Sequence, residues 1–164
     1  HKNYVIKKAS GNETDAINLV QKAIYKAKEL GLSLEEDDKA YCIFDTDAKI
    51  EKEKQIQDAI KLANRNNIKI ITSTPCFELW FLLHDSYTTA FMNSNEAIKR
   101  LKKKYKKYDK NYDIYPEICN KTDTAIKNAK KLEKYHMENN RNIQSIEANP
   151  HTEIYKIIEE FNKE

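Results

Sequence analysis

The stretch KAYCIFDTDAKIEKEKQIQDAIKLANRNNIKIITSTPCFELWFLLH, from Lys39 to His84, decides the fold. It holds two short apolar runs of strand character, Ala40–Phe44 and Ile68–Ile71. The first breaks into Asp45-Thr46-Asp47, and the second into Ser73-Thr74-Pro75 followed at once by Cys76-Phe77-Glu78. Between the runs Ile56, Ile60 and Ala63 recur at helical spacing. A strand, helix, strand unit with a connection of that length implies a parallel pair. Parallel strands bring both carboxyl ends to one edge, which is where open α/β sheets bind ligands. Asp45, Asp47 and Glu78 are therefore expected to converge there, although Glu78 lies 31 residues beyond Asp47.

Two aspartates one residue apart at a strand end point the same way, because strand side chains alternate with a period of two. Hard divalent cations such as Mg²⁺ or Mn²⁺ take carboxylate oxygens, often one or two of them together with substrate phosphates. A cation held there activates water and offsets the charge that develops in phosphodiester cleavage. The plainer alternatives are that Asp45 is a turn residue and Asp47 caps a helix starting near Ile50. Glu78 is the one charge inside Cys76–His84, a helix apolar almost all round and so expected to be buried. In the first turn of such a helix a carboxylate is either a dipole-favoured cap or a metal or substrate ligand, and because a buried charge needs a partner the ligand role is favoured for Glu78. His84 lies nearly opposite Glu78 on the helical wheel, where it either caps the helix or faces the cleft.

The chain has 164 residues, 34% of them charged and 40% hydrophobic, enough for one domain with a real core. Two Gly and three Pro argue against an all-β fold with many tight turns. The longest apolar run, Leu79–Leu83, falls far short of the roughly 18 to 20 residues that cross a bilayer. No signal peptide is expected from the residues at the front, so no membrane association is expected and a cytoplasmic location is the expectation. Cys42, Cys76 and Cys119 are odd in number and widely spaced, which argues against a disulfide framework; Cys42 and Cys119 are expected in the core. The chain opens with His1, not Met, which suggests that an upstream element is missing.

Along the chain, Asn3–Ala9 reads as a strand and Ser10-Gly11-Asn12 as a turn. A helix follows over about Glu13–Leu30, with Ile17, Val20, Ile24 and Ala27 on one face and Gly31 closing it. Glu13 and Asp15 sit in its first turn, where the helix dipole favours acids. Asn95–Tyr108 is predicted helical, with Ile98, Leu101, Tyr105 and Tyr108 on one side. Eight of the twelve residues from Lys99 to Lys110 are Lys or Arg. These eight cations, among them Lys102, Lys103, Lys104, Lys106, Lys107 and Lys110, interleaved with Tyr105, Tyr108 and Tyr112, are either a solvated face or a nucleic-acid contact, in which lysines neutralise phosphates and tyrosines stack on unpaired bases. A connector at Tyr112–Cys119, a helix at Thr122–Glu138 and a last helix with Thr152 as N-cap complete the chain. Ile154, Ile157, Ile158 and Phe161 are expected on that last helix's buried side.

CIFDTDA at Cys42–Ala48, TSTPCFELWFLLH at Thr72–His84, YKKYDK at Tyr105–Lys110 and NPHTEIYKIIEEF at Asn149–Phe161 resemble the RloB family in order and spacing over nearly the whole chain. The resemblance implies a Toprim-like (Rossmann-like) α/β fold with a parallel sheet flanked by helices and a helical C-terminal half. It further implies a role in antiviral defence and abortive infection, Mg²⁺-dependent nuclease activity on RNA or DNA, and a partner ATPase of the ABC/AAA type. The family's Asp-x-Asp corresponds to Asp45 and Asp47, its Pro-Cys-Phe-Glu-Leu-Trp block to residues 75–80, and its Asn-Pro-x-Thr to Asn149, Pro150 and Thr152. Toprim-like members also carry a glutamate just after their first strand. Either that strand lies upstream of His1, or Glu13 takes the glutamate's place.

Two functions compete. In one, Asp45, Asp47 and Glu78 hold Mg²⁺ in a nuclease, His84 assists, and the lysine-rich segment guides the strand. In the other, a non-catalytic module binds nucleic acid or the ATPase through its basic face. A mononucleotide-binding enzyme is disfavoured, because neither usual Gly-rich phosphate loop is present.

Overall fold

A computed structural model describes residues 5–7 and 15–163. The order of elements is α1 (Ala16–Glu29), β1 (Ala40–Asp45), a 3-10 turn at Ile50–Lys52 leading into α2 (Glu53–Arg65), β2 (Ile68–Thr74), α3 (Glu78–Leu83) and α4 (Ser94–Lys104). Then come α5 (Tyr115–Ile118), a second 3-10 turn at Cys119–Lys121, α6 (Thr122–Glu138), β3 (His151–Thr152) and α7 (Ile154–Phe161).

The predicted strand, helix, strand unit forms, and β1 pairs with β2 in parallel, from Ala40 opposite Ile68 to Asp45 opposite Ser73. The sheet order is β1-β2-β3, with β3 antiparallel to β2. One face of the sheet presents Cys42, Phe44, Ile68 and Ile70 to Val20 and Ala27 of α1 and to Ile56, Ala59 and Ala63 of α2. That spacing of Ile56, Ala59 and Ala63 is what makes a helix lie flat on a sheet. The other face buries Ile71 against Leu79, Trp80 and Leu83 of α3, Ala129 and Leu132 of α6, and Ile154 and Ile157 of α7.

Local chemistry marks the helix ends. Asp15 accepts the Asn18 N–H at 2.9 Å as the N-cap of α1, and Gly31 follows that helix at φ 65°, a conformation glycine adopts without cost. Asn93 and Glu96 form a reciprocal capping box at α4.

Several expectations are corrected. Val5–Lys7 carry no strand, while the remainder of the Asn3–Ala9 expectation, the turn at 10–12 and Glu13 lie outside the described residues. The helix expected at Cys76–His84 spans only Glu78–Leu83. The lysine-rich helix stops at Lys104 and not Tyr108, because Tyr105 takes φ −111° and ψ 86°, outside helical space. Thr152 belongs to β3, and Glu153 occupies the N-cap position of α7. Phe161 is exposed, and so is Cys119. The sheet is mixed, not wholly parallel, since pairing with the end of β2 recruits a two-residue strand that no local pattern announces.

Candidate active site

Asp45 is the last residue of β1, and the chain stays beside the end of β2 for two residues more. The Thr46 N–H donates to the Ser73 carbonyl and the Asp47 N–H to the Pro75 carbonyl, each at 3.0 Å. Buried Thr46 donates its hydroxyl to Thr74 Oγ1 at 2.9 Å and accepts the Ala48 N–H at 3.2 Å. These bonds hold a turn in which Asp47 and Ala48 both have positive φ, 54° and 52°, a conformation that costs a non-glycine residue about 1 to 2 kcal/mol. The turn overrides the strand alternation expected for Asp47, whose Oδ2 accepts from Lys52 Nζ at 2.5 Å.

Glu78 opens α3, is buried, and accepts the Tyr108 hydroxyl at Oε1 at 3.2 Å. Asp45 is open to solvent on one side, yet the protein packed around its carboxyl pushes its pKa up to about 7. The charges of Glu78 and then Asp47 add to the rise, while the Phe77 N–H and Lys110 oppose it. The Cys76 thiol is pushed up to about 12 by burial, then by Glu78 and Asp45. Burial and the Glu78 charge likewise raise the Tyr108 phenol. Asp45, Asp47, Glu78, Cys76, Tyr108 and Lys110 thus share one electrostatic neighbourhood at the carboxyl edge of the sheet.

His84 stands at the other end of α3. Its Nδ1 lies 2.9 Å from the Trp80 carbonyl and its ring meets Trp80 edge-on at 4.9 Å; burial lowers its pKa, and its charged neighbours are Asp85 and Lys121. Lys102, Lys103, Lys106 and Lys107 are exposed. Lys104 instead pairs with Asp85 at 2.8 Å, alongside Lys121 at 2.6 Å. Tyr105 is buried and donates its hydroxyl to the same carboxylate, so its ring is no stacking platform. Burial pushes the Asp85 pKa up, but hydrogen bonds from Lys104, Lys121 and Tyr105 outweigh it and hold the group at about 2.

Sequence reasoning placed Tyr108 on the buried side of a helix and considered it for base stacking, and it counted Lys110 among the cations suited to a polyanion; the contact of Tyr108 with Glu78 went unread. The signal was the YKKYDK stretch itself, whose tyrosines alternate with lysines at a spacing that buries one set and exposes the other. The Asn-Pro-x-Thr residues make structural contacts, with Thr152 across β2 from Asp45. The Asn149 side chain takes the Met92 N–H at 3.2 Å and donates to the Met92 carbonyl at 2.8 Å, and Thr152 Oγ1 lies 2.8 Å from Ser73 Oγ.

A family model described as RloB-like protein matches residues 1–161. The chain belongs to the RloB-like family. No curated protein and no solved structure gives a significant match. The blocks that carry the RloB likeness therefore fall on the acidic edge, on the loop that touches it and on the β2–β3 junction.

Whether this RloB-like edge suits a divalent cation can be judged from its donors. Asp45 and Glu78 supply hard carboxylate oxygens whose mutual repulsion a cation would relieve, as Mg²⁺ sites with one or two carboxylates do. Asp47 is engaged by Lys52, and among the described residues no three His, Cys, Asp or Glu side chains are grouped to hold an ion. The donors fit a cation completed by substrate phosphate and water, not a closed protein cage.

The raised pKa of Asp45 has a measurable consequence. Between its ordinary value of 3.8 and about 7, the folded chain keeps a proton that the unfolded chain has released, so stability falls as pH rises through that window. In metal-free buffer the wild-type thermal midpoint, taken relative to Asp45→Asn, should drop from pH 5 to pH 8. A difference that stays flat would show that the carboxyl is not so perturbed.

Proposed function

We propose that this RloB-like protein is an antiviral-defence effector of Toprim-like fold, a Mg²⁺-dependent nuclease that hydrolyses phosphodiester bonds of RNA or DNA in the cytoplasm together with a partner ATPase of the ABC/AAA type. The observation that supports the reading is the placement of Asp45 at the end of β1 and Glu78 just after the end of the parallel β2, where burial first, and then the Glu78 charge, raises the Asp45 carboxyl to about 7. Asp45 and Glu78 would hold Mg²⁺ (or Mn²⁺), with Asp47 joining if Lys52 releases it. A cation bound there supplies an activated water and neutralises charge at the phosphate. Asp45 is exposed at the carboxyl edge of the sheet. An open edge beside exposed lysines suits a polymer better than a small molecule.

The test is incubation of the protein, with and without its partner ATPase, with total RNA and plasmid DNA in Mg²⁺ or in EDTA. Cleavage that needs Mg²⁺ is expected; cleavage indifferent to EDTA would refute the metal assignment. The engagement of Asp47 by Lys52 favours one alternative, a binding module that keeps the fold without catalysis. On that reading nucleic acid is retained but never cut, and charge reversal at Lys102 and Lys103 abolishes function while Asp45→Asn is silent.

A further inference from the structure

Two tyrosine hydroxyls fasten the segment after α4 to both ends of α3. Tyr105 donates to Asp85, just beyond the C-terminus of α3, and Tyr108 donates to Glu78, its first residue. The segment therefore runs back along α3 toward the sheet edge, with a turn closed by the Tyr108 N–H on the Tyr105 carbonyl at 2.9 Å. Both tyrosine rings are buried, at 8% and 7% exposure, and Tyr108 packs edge-on against Phe81. What the segment shows to solvent is Lys106, Lys107, Asp109 and Lys110, and among the described residues those three lysines make no ion pair. Lys110 follows Tyr108, the residue bonded to Glu78, by only two positions, and its charge lowers the Asp45 pKa slightly.

Carboxylates at a sheet edge repel a polyanion, so a phosphodiester approaches them only where fixed cations offset the repulsion. We propose that the Tyr105–Lys110 segment is the substrate-holding element of the acidic edge and that Lys110 grips a phosphate beside Asp45. This rests on the nuclease reading for what happens to the phosphate, but not for its binding. Because the rings of Tyr105 and Tyr108 are buried, this segment holds the backbone by charge and reads no base. Binding there is indifferent to base sequence and steeply salt-dependent.

The experiment measures fluorescence anisotropy of a labelled single-stranded oligonucleotide of mixed sequence, as RNA and as DNA, in EDTA over a range of salt concentrations. Lys110→Ala should weaken binding about tenfold and lower the salt slope by about one. Lys110→Arg should restore both, and Lys163→Ala, at the far end of α7, should change neither. The RNA and DNA arms show which backbone is preferred. Lys110→Ala binding as tightly and with the same slope as wild type would overturn the assignment. Because EDTA removes cleavage from this measurement, the two readings fail separately. If Asp45→Asn still cuts while Lys110→Ala loses binding, the cation assignment at Asp45 falls and the phosphate grip stands; if wild type binds but never cuts, with or without Mg²⁺, the nuclease reading falls and the grip stands. Under cleavage conditions Lys110→Ala should lower kcat, whereas Lys102→Ala, back on α4, should raise KM alone. Equal effects of the two on kcat would remove Lys110 from the reacting phosphate.

Discussion

Asp45→Asn should abolish Mg²⁺-dependent cleavage, a loss of at least about a hundredfold, since even groups that only orient a metal ligand cost ten- to a hundredfold when removed. The substitution keeps shape and the ability to accept the Phe77 N–H, and removes only the charge that crowds Glu78 and Asp47. The variant should therefore be at least as stable as wild type at pH 8 without metal, by the linkage worked out above. Activity and stability moving in opposite directions would separate a lost ligand from a damaged fold. In cells that express the partner ATPase, the variant should lose toxicity; toxicity equal to the parent's would mean that Asp45 holds no catalytic cation. A Mg²⁺-induced rise in thermal midpoint should likewise be present in wild type and absent in the variant.

The largest loss of stability is expected on the side of β2 away from β1, at Glu153. This residue is 3% exposed and follows β3, whose two residues are too few to complete the ladder with β2. Its N–H donates to the Thr72 carbonyl at 3.0 Å, and its carboxylate extends the strand pairing by accepting the Thr72 N–H at 3.0 Å. The same Oε2 accepts the Thr72 hydroxyl at 3.1 Å and Gln144 Nε2 at 2.9 Å, while Oε1 takes Lys156 at 2.8 Å. Glu153→Ala strands a buried backbone N–H, which costs about 1 to 3 kcal/mol, while partly exposed Lys156 keeps Glu133 at 3.2 Å. Urea denaturation should show the midpoint falling with little change in slope. Glu153→Gln, which keeps an acceptor for Thr72, should lose markedly less. A loss below about 1 kcal/mol for the alanine variant would place it with ordinary surface changes and refute this account.

The contrast between these two residues shows what was legible beforehand. Asp45 and Glu78 could be placed at one edge from local patterns alone: apolar runs of strand length, an intervening helical period, and the rule that parallel strands end together. The bounds of α6, Thr122–Glu138, were equally plain, because Ala125, Ala129 and Leu132 recur at helical spacing and are all fully buried. Glu153 offered no such signal. Its partners Thr72 and Gln144 lie 81 and 9 residues away, and nothing in an acid before an apolar helix announces a substitute strand residue. Tyr105 and Tyr108 were misread for a related reason. Their spacing fits a helix stripe and a stacking platform equally well, and only the carboxylates they meet on α3 distinguish the two.

By itself the sequence determined the kinds and order of most elements, the parallel pair, and the placement of Asp45 at the end of β1 and of Glu78 just after β2. These follow from side-chain periodicity and backbone direction, which are local. Tertiary structure alone decided that Asp47 turns through positive φ to Lys52, that Lys104 is spent on Asp85, that β3 exists, and that Tyr108 ties the basic loop to Glu78. Each of these depends on the burial and pairing of groups that only the folded chain brings into reach.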